Sequence, residues 1–459
     1  MRFVLAVGIL LAPLIAADDN LPLGERTRQY LVDLIRQDTT NPPGHETRVA
    51  EYLKQVADAH GIPCELLGND PKRLNFVARL STHGRGRPLL LMAHSDVVPA
   101  DRKQWTVDPF SAEFRNGFIY GRGAQDDKSL LAAELAVMVE IKRRNIPLNR
   151  DIILLSESDE EEGSTGIQWL IQHAYSKIDA DFALNEGGYS IETKDSDRIF
   201  NVQTLEKVPT RVILIARGTA GHGSLPRPDN PVVRLSRAIT RLVDTDEPVH
   251  LNPTTRRYLR DLSKLDDYHW LQPLLPKLEG PGANSAANQI RAHDPELDAM
   301  LRTTVSPTML QAGIKVNVIP NIAEAQVDVR RLPSETREEV LARFRQIVND
   351  PSVEITLAPN QQMPATEPSS LTTSLYRAME RAIAKIYSHD ALVLPYMSRG
   401  ATDGSYLRAK GMAVYGVPLF LREPGESRAH GNDERISPKN LEDGVELLWQ
   451  IVLEVAGSG

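Results

Sequence analysis

The run Leu89-Leu90-Leu91-Met92-Ala93 ends on His94-Ser95-Asp96. Five apolar residues in a row, with no polar alternation, suit a strand covered on both faces, as in a parallel sheet. Such a strand needs helices above and below it, so the surrounding chain is expected to be α/β. Open α/β sheets bind ligands outside the carboxyl ends of their strands. A histidine and an aspartate delivered there are therefore candidates for chemistry.

The same grammar recurs along the chain. Residues 45–60 place Val49, Tyr52, Leu53 and Val56 on one helical face, and Gly61 stops the helix. After the loop GRGAQDDK, the stretch SLLAAELAVMVEIKRR predicts a helix with Leu131, Leu135 and Met138 inward and basic residues in its last turn. Ile152–Leu155 reads as a second buried strand, residues 164–175 as a helix and Phe182–Leu184 as a third strand. Strand and helix in alternation predict a largely parallel sheet flanked by helices.

A chain of 459 residues exceeds one ordinary hydrophobic core, so two domains are expected. Beyond residue 206 the texture changes. Thr210–Ala216 predicts a strand, Pro231–Val243 a helix, Ile314–Val318 and Ala325–Val329 a strand pair, and Glu335–Val348 an amphipathic helix. That order suits a smaller α+β layer, with the 246–312 segment longer than such a layer needs. From about 360 the α/β texture resumes, with a helix near 369–388 and a closing helix that Ser437-Pro438 starts. The expected division is 18–206 and 360–459 for the main domain, with 207–359 inserted.

Several function classes are excluded early. A net charge of −8 offers no basic face for nucleic acid. Arg2, the apolar stretch Phe3–Ala16 and the acidic Asp18-Asp19 read as a secretory leader over 1–17, too short to span a membrane, which points to a secreted or periplasmic protein. Cys64 is the one cysteine, so no disulfide forms within the chain, and its neighbours Ile62, Leu66 and Leu67 predict a buried structural thiol.

The acids gather where the strands end. His94 and Asp96 follow the first strand, Asp126 and Asp127 lie in the next loop, Asp159, Glu160, Glu161 and Glu162 follow the second strand, and Glu186 follows the third. ESRAHGNDERI adds His430 near the C-terminus. One His-x-Asp is most often a capped loop, and one acidic run is most often a solvated helix start. Carboxylates converging in one cleft repel one another unless cations neutralise them. Imidazole and carboxylate donors without thiolate suit zinc, with cobalt or manganese able to substitute. Two such ions about 3.5 to 4 Å apart activate water for hydrolysis. One acid of the Glu160-Glu161 pair can bind metal while its neighbour serves as general base.

The set HSDVVP, GRGAQDDK, SDEEEGSTG, LNEGG and HGNDERI resembles the cocatalytic zinc peptidases that include carboxypeptidase S, glutamate carboxypeptidase, aminoacylase and the acetylornithine and succinyl-diaminopimelate amidohydrolases (peptidase family M20). The likeness runs from about residue 25 to the end, with five motifs in order. It implies two zinc ions, one on His94, Asp126 and Glu186 and the other on Asp126, Glu161 and His430, with Asp126 as the bridge. Asp96 resembles the acid that orients His94, Glu160 the general base, and the Asp126-Asp127 bond the family's cis peptide. In the inserted lid and dimerisation domain, His222 of GTAGHGSLP resembles the oxyanion donor, and Asn317 and Arg330 the residues that hold substrate carbonyl and carboxylate. SRGATDGS, with Gly400 and Thr402, matches a loop that lines the site in the family.

The long 246–312 segment and LRTTVSPTM are more like carboxypeptidase S and its secreted acyl-amino-acid relatives than the compact deacetylases. In compact members of the family the lid histidine often comes from a homodimer partner; a homodimer is among the expected assemblies here, and the longer segment leaves open which chain supplies the histidine. The expected activity is exopeptidase hydrolysis of short peptides or N-acyl amino acids. The nearest rival is an N-acyl-amino-acid deacylase with the same chemistry. A non-catalytic zinc protein would have no use for Glu160, and calcium seldom recruits two histidines.

Overall fold

A computed structural model describes residues 21–193, 197–359, 363–387, 391–422 and 425–458. The expected leader over 1–17 lies outside the described residues. No helix among those described is long and apolar enough to cross a membrane.

The chain forms two compact units. The first runs to Val202 and takes in Ser370–Val393 and Lys410–Gly459, while the second is Gln203–Ser369 with Leu394–Ala409. In the first unit, Gly86–His94 lies at the heart of the sheet between Arg150–Glu157 and Phe182–Asn185, parallel to both. Ala413–Gly416 continues the parallel set beside Phe182–Asn185. Asn75–Leu80 and Cys64–Leu67 add antiparallel strands outside Arg150–Glu157. Asn75–Leu80 is buried but short, and periodicity alone does not separate such a run from a helix segment.

Leu89, Leu90, Leu91, Met92 and Ala93 are fully buried, as a doubly covered strand requires. The helix Lys128–Arg143 is buried along nearly its whole length, and not on the single face of Leu131, Leu135 and Met138 alone. The reason is its company: it belongs to one core with Leu31 and Leu34 of the helix Leu23–Ile35 and Leu448 and Val452 of the helix Pro438–Ala456. A helix apolar all round is a buried helix. Ser437 caps the last helix by accepting from the Asn440 N–H, with Pro438 in its first turn. Cys64 is half-buried, with Sγ 3.9 Å from Asp58, because its strand is the edge of the sheet. Burial pushes the thiol up, which keeps it protonated.

Glu140, near the end of the central helix, is buried and accepts from Arg26 at 2.6 Å and Arg143 at 2.8 Å, with Arg144 also paired to it. Burial alone would raise its pKa, but the three guanidinium groups outweigh it and hold it down to about 2. A depressed carboxylate stabilises the fold above its ordinary value and loses that contribution as pH falls toward the folded one. Glu140→Gln should therefore flatten the acid limb of thermal stability between about pH 4.5 and 2. An acid limb identical to that of the parent would count against this ion cluster as a stability element.

In the second unit the sheet order is Thr304–Ala312, Ile322–Arg331, Val208–Arg217, Val353–Leu357, antiparallel throughout. Ala323, Ala325, Val327 and Val329 point to a core completed by Leu235 and Ala238 of Pro231–Asp244 and by Val340 and Phe344 of Arg337–Val348. Period two then puts Glu324, Gln326, Asp328 and Arg330 on the opposite face. The expected strand Ile314–Val318 is not formed, apart from Val318, which begins the two-residue strand Val318–Ile319. The neighbour of Ile322–Arg331 on the side away from Val208–Arg217 is Thr304–Ala312, the chain turns at Gly313 with φ +67°, and Ile314 and Val316 stand exposed. Pro307 sits at a bulge of that edge strand, where no ladder hydrogen bond is asked of it. The segment from 246 contains the helices Pro253–Leu262 and Ala283–His293. Leu394–Ala409 is held to this unit by Arg408, whose guanidinium pairs with the buried Glu206, and by Thr402, whose hydroxyl donates to Glu206 at 2.9 Å. Thr402 of the SRGATDGS stretch is thereby engaged within the second unit.

Candidate active site

Three parallel strands of the first unit deliver their following residues to one place. His94 closes Gly86–His94, Glu160 and Glu161 follow Arg150–Glu157, and Glu186 follows Phe182–Asn185. Asp126 comes from the loop ahead of the central helix and His430 from the C-terminal stretch. His94 Nε2 is 3.0 Å from Asp126 Oδ1, and His430 Nε2 is 3.1 Å from Asp126 Oδ2. His430 Nε2 is also 3.1 Å from Glu161 Oε1. One ligand atom each from His94, Asp126 and Glu161 lies within 4.8 Å of the others, and the same holds for His94, Glu160 and Glu186. The Asp126-Asp127 peptide is cis.

The electrostatics of this cluster call for a cation. Burial, together with repulsion from Asp126, Asp127 and Glu161, lifts Glu186 well above the carboxylate range, against the pull of His94. Asp127 is raised by burial, with Asp126 and Glu134 adding to it. Asp126 stays below its ordinary value because hydrogen bonds from His430 and His94 overcome its burial. Hydrogen bonds to Asp126 and Glu161 push His430 up to about 10. The raised carboxyls and His430 hold protons more readily than they would in water. A divalent ion would displace those protons and satisfy the same oxygen and nitrogen atoms, so the donor set fits a metal.

His94 is fixed from behind. Its Nδ1 is 2.9 Å from the Asp96 backbone carbonyl, which only accepts, so Nδ1 carries a proton and Nε2 is the nitrogen turned to the cluster. The Asp96 carboxylate is farther away, at 3.6 Å. It accepts instead from the Glu160 and Glu161 backbone N–H groups, each at 3.2 Å, and from Asn41 Nδ2 at 2.7 Å. Asp96 thus reaches His94 through its backbone and the Glu160-Glu161 turn through its side chain.

Asn41 carries that scaffold further. The second hydrogen of its amide serves Asp159 Oδ1 at 2.9 Å, and Arg73 Nη2 donates to the same oxygen at 2.7 Å and to Glu46 at 2.7 Å. Asp159 sits in the left-handed region at φ +68°, a conformation that aspartate tolerates, and this turns the next two N–H groups toward Asp96. Sequence reasoning passed over Asn41 because an asparagine in TTNPPG reads as an ordinary turn residue. Asn41→Ala should lower kcat by about 10- to 100-fold with KM little changed, the range typical of residues that orient ligands from behind. Steady-state kinetics showing an unaltered kcat would remove Asn41 from the scaffold.

Glu434, also missed, comes from HGNDERI itself. It accepts from the Gln125 N–H at 2.7 Å and the Asp126 N–H at 3.1 Å, is paired to Arg122 at 2.5 Å, and is raised by burial to about 7. It ties the Asp126 loop to the stretch that carries His430.

The remaining expected residues belong to the second unit. His222 lies on Gly221–His222, which pairs with Val318–Ile319, and the Gly223 N–H donates to Asn317 O at 2.8 Å. That small ribbon brings His222 and Asn317 together on exposed backbone. The Ser224 N–H donates to His222 Nδ1 at 3.2 Å, so the neutral ring carries its proton on Nε2. Arg330 is apart from them, on the polar face of Ile322–Arg331, with Nε donating to Asp328 at 3.0 Å.

The sequence profile of peptidase family M20/M25/M40 matches residues 90–454. The chain belongs to this family. It is 30% identical over 375 residues to the N-fatty-acyl-amino acid synthase/hydrolase PM20D1 of Homo sapiens, covering 80% of this chain and 74% of that one. It is 27% identical over 378 residues to a probable carboxypeptidase S-like protein of Dictyostelium discoideum, covering 80% and 71%. Its fold matches an M20 family metallo-carboxypeptidase from Sulfolobus solfataricus with a TM-score of 0.70 at 22% identity, over 94% of this chain and 98% of that one. The M20 chain described here is accordingly a hydrolase of amide bonds, with a cluster able to hold metal at its strand ends.

Proposed function

We propose that this protein is a secreted exopeptidase of the carboxypeptidase or dipeptidase type, hydrolysing short peptides or N-acyl amino acids that keep a free carboxylate. Two zinc ions are its cofactor, one on His94, Asp126 and Glu186 and one on Asp126, Glu161 and His430. The observation that carries this reading is the placement of Asp126, whose two oxygens each face a different histidine. When bound, the ions would polarise the scissile carbonyl and acidify the attacking water.

The protein's own groups do the rest. Glu160 sits beside His94 and Glu186, with its backbone held by Asp96. It takes the proton of the attacking water and returns it to the leaving amine. In the second unit, the Nε2–H of His222 is assigned to the developing oxyanion, Asn317 to the substrate carbonyl and Arg330 to the terminal carboxylate.

A second reading, N-acyl-amino-acid deacylase, is favoured by the 30% identity to a protein named for that class of substrate. Both are tested by a screen of dipeptides, longer peptides and N-acyl amino acids, with free or amidated carboxyl ends, against the zinc-loaded and chelated protein. Zinc-dependent cleavage restricted to free carboxylates supports the reading, and the preferred acyl side chooses between peptidase and deacylase. Equal cleavage of amidated substrates would remove the role given to Arg330.

A further inference from the structure

The cleft beside the metal-competent cluster is lined by an arginine that pairs with no described residue. It has a volume of about 200 Å³ and is lined, within the first unit, by Asp126, Asp127 and Glu186 on one side. Leu130, Val417, Leu419 and Phe420 supply an apolar wall, and Arg422 also lines the cleft. Arg422 ends the two-residue strand Leu421–Arg422, parallel to Tyr189–Glu192. It follows an apolar run just as His94 does, so it too stands at the carboxyl end of a parallel strand.

Arg422 is half-buried, and its guanidinium makes no hydrogen bond or ion pair with any described residue. The arginines around it behave otherwise: Arg122 is paired to Glu434, and Arg435 to Glu426. Burial lowers the pKa of Arg422, with Asp126, Tyr189 and Glu434 opposing that at longer range. A dehydrated guanidinium without a partner is costly, and a planar carboxylate meets its fork with two parallel hydrogen bonds. A smaller cavity also touches Arg422, but its 20 Å³ holds about one water and no carboxylate ligand.

We propose that Arg422 determines specificity by binding a second carboxylate, on the acyl side of the scissile bond: that of a dicarboxylic acyl group or of an acidic side chain. The acyl side follows from the amide-hydrolase reading above, in which Arg330 takes the carboxylate of the leaving amino acid. The methylenes between the two ends of the acyl group lie along Leu130, Val417 and Phe420, which suits a short chain with charge at its far end.

The test has two arms on the zinc-loaded protein. Calorimetric titration compares succinate with butyrate, which differ only in the carboxylate at the far end. Kinetics compare N-succinyl with N-butyryl amino acids. The parent should bind succinate at least about 10-fold more tightly than butyrate and favour the succinyl substrate by a similar factor in kcat/KM, mainly through KM. Arg422→Met should abolish both preferences while leaving N-butyryl hydrolysis within about 3-fold, which also shows that the variant folds, and Arg422→Lys should restore part of them. Equal binding of succinate and butyrate by the parent, or a preference that survives in Arg422→Met, would overturn the proposal. Succinate discrimination by Arg422 with no hydrolysis of any substrate would instead keep this anion site and sink the amide-hydrolase reading on which its acyl-side placement rests.

Discussion

Glu160→Gln is expected to lower kcat/KM by about 10³-fold, a loss of ~4 kcal/mol of transition-state stabilisation, while the protein still binds its full complement of metal. The amide keeps the size of the side chain and cannot accept a proton from water. The backbone N–H of residue 160 still donates to Asp96, so the turn that also carries Glu161 stays in place. The separation of metal content from activity is the informative part. Metal analysis by atomic emission, set beside steady-state kinetics, measures both. Activity within 10-fold of the parent would mean that another group moves the proton, and Glu186, whose carboxylate lies near that of Glu160 and the ring of His94, would be the next candidate.

Asp126→Ala should do the opposite and lose metal first. Asp126 is the residue to which both histidines converge, and Glu434 holds its backbone to the C-terminal stretch. Removing the shared carboxylate leaves His94 and His430 without the group between them, and metal affinity should fall by more than about 100-fold, beyond what is typical for residues that only orient a ligand. Activity should fall to background at metal concentrations that saturate the parent. Titration with zinc under a competing chelator checks the prediction. Retention of two tightly bound ions in this variant would show that the cluster is held without a bridging carboxylate.

Much of this cluster is legible in the sequence. A buried strand ending on a polar residue is a local pattern, and the sheet turns such patterns into a common location because parallel strands end at the same edge. His94, Glu160, Glu161 and Glu186 follow this local pattern, Asp126 and His430 stand in the motifs around them, and the fold brings these residues close together. Asn41 and Glu434 escaped for the opposite reason. Their roles are hydrogen bonds across sequence separations of 55 and 308 residues, and nothing local marks either side chain as a partner of Asp96 or of the Asp126 backbone. Arg422 stands within reach of the strand-end rule, but a single arginine after a short apolar run looks like a surface residue until the fold places it in the cleft beside Asp126 and Glu186.

The strand misplaced at Ile314–Val318 shows where pattern reading fails. Alternating apolar residues satisfy period two whether or not a neighbouring strand is there to pair with them. Gly313 reverses the chain, and the edge position went to Thr304–Ala312 despite its proline. The central helix was read as amphipathic because helices usually have a wet side. Only the packing of the first and last helices against it explains why this one has none.

The sequence by itself determined the elements and the donor types, because helix caps, buried runs and the chemistry of imidazole and carboxylate are properties of neighbouring residues. Tertiary structure alone decided which oxygen faces which nitrogen, which carboxyls are pushed toward the neutral form, and which arginine lines the cleft beside them. Those are consequences of distance and dehydration, and both arise only when residues hundreds of positions apart are brought together.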